Sequence, residues 1–138
     1  MNKSVKTVSV LGSTGSVGTQ ALDVIKELGL DVVMITGHKN IKLIAEQIKE
    51  FSPEIACVAD CDTARELEKM IGNCTTKVIF GEEQMSDALE AHCADVTVHA
   101  IAGLAGLASA LKASRTPTRL AMANKEAVIC AGEMIFDN

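Results

Sequence analysis

Residues 8–18 read VSVLGSTGSVG, and a segment with helical periodicity follows at once. A short apolar β run, a loop with glycine at every third position and a helix, in this order, build an anion site. The glycines let the backbone approach a ligand closely, and the first turn of the helix presents unpaired N–H groups to negative charge. The stretch therefore predicts a site for the phosphate of a nucleotide or dinucleotide.

The spacing of this loop is Gly-x-x-Gly-x-x-Gly, whereas the usual dinucleotide fingerprint is Gly-x-Gly-x-x-Gly. A purely structural turn between strand and helix is therefore the alternative interpretation. Position favours the phosphate site, because doubly wound folds keep it in the first βα turn of the chain. A Walker loop is excluded, since no Gly-Lys-Ser/Thr follows.

The composition predicts one globular domain. The 138 residues, 48% of them hydrophobic, suffice for one core but hardly for two. The formal net charge of −5 argues against nucleic acid or an anionic membrane as partner. No apolar run approaches the ~20 residues that span a bilayer, and a strand expected by Thr7 leaves no room for a signal or transit peptide. We therefore expect a cytoplasmic protein.

The five cysteines are odd in number and include no Cys-x-x-Cys pair, which favours reduced, mostly buried thiols. A zinc site from Cys57, Cys61 and either His92 or Cys93 is the disfavoured alternative, so no metal ligand is predicted. His92 and His99 have no partner at the spacing of a triad or a metal site, and we expect both to be structural or surface residues. No catalytic residue is predicted.

Apolar runs of β type alternate with segments of helical period along the whole chain. The runs are almost continuously hydrophobic, as expected for strands buried on both faces. The predicted strands are Thr7–Leu11, Val32–Thr36, Ile55–Val58, Lys77–Phe80, Val96–His99 and Leu120–Ala123.

The helical segments between these strands carry apolar stripes that we expect to pack against a sheet. The first stripe comprises Val17, Ala21, Val24, Ile25 and Leu28, others follow in residues 41–48, 64–71, 85–89 and 104–111, and a sixth helix is expected from about Glu126. Right-handed crossovers then give a doubly wound, Rossmann-like α/β domain over residues 1–138, with a mostly parallel sheet and helices on both faces.

The second strand ends at Gly37-His38-Lys39-Asn40, one of three places besides the glycine loop where a ligand is expected. An NAD site usually carries Asp or Glu here for the ribose 2′-hydroxyl, and none is present. The cationic His38 and Lys39, with Asn40 as a donor, favour the 2′-phosphate of NADP. Asn40 as a helix cap, with Lys39 simply solvated, is the alternative and is compatible with this role.

Two further strand ends carry candidate residues. Residues 100–106, AIAGLAG, permit a flat ring such as nicotinamide to lie against the backbone, although plain small-residue packing explains them equally well. Asn124, Lys125 and Glu126 follow the sixth strand, where Lys125 suits a substrate anion and Glu126 suits orienting the ring. A helix start with Glu in its first turn remains the alternative.

The motifs LGSTGSVG, GHKN, AIAGLAGL and ANKE, in this order and spacing, resemble the amino-terminal part of the 1-deoxy-D-xylulose 5-phosphate reductoisomerase family over essentially the whole chain. The resemblance implies an NADPH-dependent enzyme of non-mevalonate isoprenoid synthesis that forms 2-C-methyl-D-erythritol 4-phosphate. It also implies a phosphosugar substrate, a divalent Mg, Mn or Co ion, and a homodimer.

The resemblance implies roles for particular residues. The cofactor would contact Thr14, Gly15, Ser16, Val17, His38, Lys39, Asn40, Asn124 and Glu126, and the substrate would contact Lys125. His38 stands where many relatives have Gly or Ala. The metal ligands and the catalytic and carboxy-terminal domains of the family lie beyond this segment, and Glu133 and Asp137 do not match the metal motif, so a fragment is expected.

Two other functions remain open from the sequence. Another NADP-dependent reductase or semialdehyde dehydrogenase shares the glycine loop, but it would carry a catalytic Cys or another segment in place of ANKE. A dinucleotide-binding module without catalysis is the second alternative.

Overall fold

The computed structural model describes residues 4–123, without the side chain of Ala105. Six strands and five α-helices alternate along this part of the chain. The elements are β1 (Thr7–Leu11), α1 (Ser16–Leu28), β2 (Asp31–Thr36), α2 (Ile41–Phe51), β3 (Ile55–Val58), α3 (Cys61–Ile71), β4 (Lys77–Phe80), α4 (Gly81–Ala91), β5 (Val96–His99), a 3₁₀ turn (Leu104–Gly106), α5 (Leu107–Ser114) and β6 (Arg119–Met122). The six strands predicted from the sequence are confirmed, with ends that differ by at most one residue.

The strands form one sheet in the order β4-β3-β2-β1-β5-β6, and every described pair is parallel. The chain runs outward from β1 to β4 and then returns to the other side of β1 as β5. In register, Val10 lies beside Val98 and Leu11 beside His99. The neighbours β1 and β5 therefore mark the point where the strand order reverses, and their carboxyl ends open a crevice there.

Two apolar layers hold the sheet between its helices. On one face, β1 and β2 residues such as Val10 and Ile35 pack with Leu22 of α1, Ile48 of α2 and Leu67 of α3. On the other face, a second cluster joins Leu11, Met34, Ile55, Cys57, Ile79, Met85, Ala88 and Leu89, the last three from α4. Because both faces are covered, the strands are apolar on both sides. The predicted doubly wound α/β fold with helices on both faces is confirmed.

The apolar stripe predicted for α1 is wrong in part. Val17, Val24 and Leu28 are 45%, 52% and 65% exposed, whereas Gly18, Leu22 and Ile25 are buried. Gly18 lies against the backbone of the glycine loop, so the residues four and seven positions later face the sheet. The close contact of Gly18, which periodicity does not reveal, sets the rotation of the helix.

The cysteines differ in how deeply they are buried. Of the four cysteines in the described range, only Cys57 is buried, so the prediction of mostly buried thiols is wrong there. Cys57 lies inside β3, while Cys61 begins a helix and Cys74 and Cys93 lie in connections.

The sixth helix expected from Glu126 lies outside the described residues. Within residues 4–123, no helix has the length and apolarity needed to cross a membrane.

Candidate functional site

The glycine loop lies at the crevice between β1 and β5. Gly12 has φ +85°, and a Cβ there would come within 2.7 Å of the Ala100 carbonyl oxygen at the end of β5. A Cβ on Gly18 would come within 2.0 Å of the Gly12 carbonyl oxygen. Glycine is therefore required at both positions because backbone meets backbone. These contacts bring the start of α1 directly under the loop.

The amino end of α1 carries no side-chain cap. Its N-cap residue is Gly15, and its first turn contains no acidic residue. By contrast, Asn40 caps α2 through the Leu43 N–H, and Asp60 caps α3 through the Thr63 N–H. The first N–H groups of α1 and the positive end of its dipole are thus available to an anion.

The loop conformation is fixed by β2 and α2. The Gly12 N–H donates to the Thr36 hydroxyl at 2.9 Å, and the Ser13 N–H donates to the Thr36 carbonyl at 2.8 Å. From α2, the buried Gln47 amide donates to the Ser13 carbonyl at 2.8 Å and accepts from the Ser13 hydroxyl at 2.7 Å. Sequence reasoning missed Gln47, because its partner Ser13 lies 34 residues away in the chain.

A cavity of about 460 Å³ opens beside the loop along the carboxyl ends of the strands. Its volume falls in the usual range of small-molecule sites. Gly12, Thr14, Gly15, Thr36, Gly37, His38, Ala100, Ile101 and Ala102 line one part, and Cys57, Val58, Ala59, Gly81, Glu82, Met85 and Ser109 complete the wall. The loop and two of the three other predicted strand ends therefore meet at one cleft.

The GHKN segment places its residues differently. His38 lines the cleft, while the exposed Lys39 has its ammonium 3.8 Å from an oxygen of Asp60. Asn40 caps α2, with its side-chain oxygen 3.4 Å from the Leu43 nitrogen, as the alternative interpretation predicted. The pKa of Asp60 is lowered, first by hydrogen bonds from Thr63 and then by the nearby Lys39 and His38 charges. The Lys39 ammonium and the His38 imidazole thus lie beside the Asp60 carboxylate at this end of the cleft.

The wall formed by β3 and α4 was not foreseen. Cys57 Sγ lies 3.8 Å from the Gly81 carbonyl oxygen, and burial raises the pKa of this thiol to about 12. The group is therefore neutral, and with Val58 and Met85 it gives this part of the cleft an apolar surface. Such a surface suits the flat face of an uncharged ring.

Three candidate residues cannot be placed. Asn124, Lys125 and Glu126 lie outside the described residues, so their predicted roles stay predictions. Within residues 4–123, no group of three His, Cys, Asp or Glu side chains could hold a metal ion, so the cysteine and histidine set considered above does not converge. His92 is exposed beside Glu54, while His99 is buried.

Fold and loop together define a class: a doubly wound α/β protein of the Rossmann type, with a glycine loop and an uncapped helix at the reversal of strand order. The family model for 1-deoxy-D-xylulose 5-phosphate reductoisomerase matches residues 8–132. The chain belongs to this family.

Individual relatives support the assignment. The 1-deoxy-D-xylulose 5-phosphate reductoisomerase of Lachnospira eligens is 36% identical over 133 residues, covering 96% of this chain and 35% of that protein. The solved reductoisomerase of Zymomonas mobilis in complex with NADPH has a TM-score of 0.89 and 32% identity, covering 97% of this chain and 36% of that one. A DOX-P reductoisomerase with NADPH, fosmidomycin and magnesium has a TM-score of 0.88 and 27% identity, covering 96% and 33%. This chain therefore spans about a third of the length of these relatives.

Proposed function

We propose that this chain is the NADPH-binding part of a 1-deoxy-D-xylulose 5-phosphate reductoisomerase, with residues 1–138 forming one cofactor-binding domain. The observation that carries the proposal is the uncapped amino end of α1, held under the glycine loop at the junction of β1 and β5. Two solved relatives are complexes with NADPH. The family membership and the cleft geometry support the same cofactor.

The pyrophosphate is assigned to the glycine loop. The backbone N–H groups of Ser16 and Val17 lie in the first turn of α1, which has no side-chain cap, and Thr14 and Gly15 line the cleft beside them. No carboxylate in that turn repels the phosphates. The helix dipole adds attraction for negative charge, typically ~0.3–1 kcal/mol at an exposed site.

The 2′-phosphate is assigned to His38 and Lys39. The ion pair of Lys39 with Asp60 is long and exposed, so it contributes little to the stability of the fold. The ammonium can therefore leave Asp60 and bind the phosphate at a small cost in free energy. Asn40 supports this site through the cap that begins α2. No acidic residue stands at the end of β2, so the usual partner of the ribose 2′-hydroxyl of NAD is absent there.

The nicotinamide end is assigned to Ala100, Ile101 and Ala102, which line the cleft near the junction of β1 and β5. The small alanine side chains leave room for a flat ring against the backbone. NADPH, when bound, supplies a hydride for the reduction. By motif, Asn124 and Glu126 would contact the cofactor and Lys125 the substrate phosphosugar.

The activity of the whole protein is part of the same proposal: rearrangement of 1-deoxy-D-xylulose 5-phosphate followed by reduction to 2-C-methyl-D-erythritol 4-phosphate, by a cytoplasmic homodimer. One of these solved relatives also contains magnesium. Residues 4–123 contain no group of side chains that fits a metal site, so we assign the Mg, Mn or Co ion of the family to none of these residues.

The proposal is tested by NADPH titration of the chain and of Lys39→Glu. We expect the variant to bind NADPH at least about tenfold more weakly, because hydrogen bonds to charged groups are worth ~1.5–3 kcal/mol. Lys49→Glu is the matched control, since Lys49 lies in the last turn of α2, at the end away from the cleft. Equal loss in both variants, or none in Lys39→Glu, would reject the assignment of the 2′-phosphate.

A further inference from the structure

A buried pair of polar side chains lies behind the nicotinamide end of the cleft. His99, the last residue of β5, and Ser109, in α5, are 0% and 3% exposed. His99 Nε2 lies 2.9 Å from Ser109 Oγ, and the Ser109 hydroxyl donates to the Gly106 carbonyl oxygen at 3.0 Å. Neither side chain has a role in the function proposed above, and both are buried, so each needs a hydrogen-bond partner inside the protein.

The hydrogen bonds define the state of the histidine. A serine hydroxyl has a single hydrogen, and here it is directed to Gly106. The Ser109 oxygen must then accept from His99, so Nε2 carries the proton of a neutral imidazole. Within the described residues, His99 Nδ1 is buried without a hydrogen-bond partner. The hydrogen bond that ties the ring to α5 is the one between Nε2 and Ser109 Oγ.

These two hydrogen bonds join the ends of the segment formed by residues 100–106. Residues 100–106 leave β5 directly after His99 and end in the 3₁₀ turn at Gly106, whose carbonyl accepts from Ser109. The two side chains therefore connect the beginning of this segment to its end. Ala100, Ile101 and Ala102, which line the cleft, lie between the two anchors, and Ser109 itself borders the cavity.

We propose that His99 and Ser109 are positioning residues that hold residues 100–106 in the shape that receives the nicotinamide end of the cofactor. This inference rests on the proposed NADPH function. The pair should affect only the binding of the nicotinamide half of the cofactor, because the adenosine half lies toward His38 and Lys39, at the end of β2. A pair that merely supported the core would affect both halves alike.

The test compares two ligands on the full 138-residue chain. NADPH carries both halves, whereas adenosine 2′,5′-bisphosphate carries the adenosine and 2′-phosphate without nicotinamide. For Ser109→Ala we expect NADPH to bind about threefold to tenfold more weakly, the usual range for one lost hydrogen bond. The affinity for the bisphosphate should stay unchanged. The amide hydrogens of residues 100–106 should also exchange faster than in the unsubstituted chain.

A second variant covers the case in which Ser109→Ala fails to fold. The double variant His99→Phe with Ser109→Ala replaces both partners by apolar groups and leaves no buried imidazole N–H without an acceptor. It should show the same selective loss of NADPH affinity. Unchanged NADPH affinity with unchanged exchange, or equal weakening of both ligands, would overturn the positioning role. If the unsubstituted chain binds neither ligand, the proposed function itself fails and this inference fails with it.

Discussion

Gln47 and Ser13 form a two-point contact, in which the Gln47 amide donates to the Ser13 carbonyl at 2.8 Å and accepts from the Ser13 hydroxyl at 2.7 Å. Gln47 belongs to α2 and Ser13 to the glycine loop, 34 residues apart in the chain. Both side chains are buried. The shape of the loop therefore depends on a helix from the next βα unit as well as on its own glycines.

Replacing this amide should destabilise the fold and weaken cofactor binding. Gln47→Ala leaves the Ser13 carbonyl without this buried donor, which costs ~1–3 kcal/mol of unfolding free energy. Urea unfolding followed by circular dichroism measures the change. Gln20→Ala is the control, because Gln20 is exposed on α1; an equal loss in both variants would refute the special role of Gln47.

A methyl group at Gly18 should be poorly tolerated. Its Cβ would meet backbone atoms of Gly12 and Ser13 at 2.0 to 2.8 Å, and no flexible side chain can move aside. We expect Gly18→Ala to lose roughly 3 kcal/mol of unfolding free energy, at the upper end for overpacking. At Gly15 the nearest atom is 3.8 Å from the added Cβ, so Gly15→Ala should fold normally. Comparable thermal stability of the two variants would contradict the packing described for the loop.

Stability should fall in mild acid because of His99. Burial lowers the pKa of His99 below its usual value of 6.5. The unfolded chain therefore binds a proton at a pH where the folded chain does not, so the stabilisation is complete above about pH 6.5 and is lost as pH falls toward the lower folded pKa. Unfolding free energies measured from pH 7.5 to 5 should decrease more steeply for the unsubstituted chain than for His99→Gln. Parallel curves would show that His99 does not titrate differently on folding.

Cys74 and Cys57 should differ in their rates of alkylation. Hydrogen bonds from Thr76 lower the pKa of the exposed Cys74, whereas burial raises the pKa of Cys57 to about 12. The thiolate is the reactive form, so at pH 8 iodoacetamide should modify Cys74 first and leave Cys57 unmodified until the chain unfolds. Mass spectrometry of peptides from a time course gives the order. Modification of Cys57 at the rate of Cys74 would be inconsistent with a closed β3–α4 wall.

The sequence predicted the strands well because each is a short, almost continuously apolar run between clear turn residues. The rotation of α1 escaped prediction, since Val17 and Val24 fit an apolar period as well as Leu22 does. Only the contact of Gly18 with the Gly12 backbone decides which side faces the sheet. Periodicity carries no information about such a contact.

The lining of the cleft was anticipated where its residues are contiguous in sequence and missed where they are not. The glycine loop and the GHKN segment are contiguous, so their residue types alone indicate phosphate binding. Gln47 and Cys57 reach the site only through the packing of α2 and the order of strands in the sheet. Sequence spacing does not determine those relationships.

The central claim is that the cleft selects a dinucleotide with a 2′-phosphate, and parallel titrations of the chain with NADPH and NADH test it most directly. The chain contains no Trp or Tyr, so the nicotinamide emission can be followed without their background. NADPH should bind at least about tenfold more tightly than NADH, the factor that ~1.4 kcal/mol from the charged contacts at His38 and Lys39 provides. Equal affinities, or tighter binding of NADH, would contradict it.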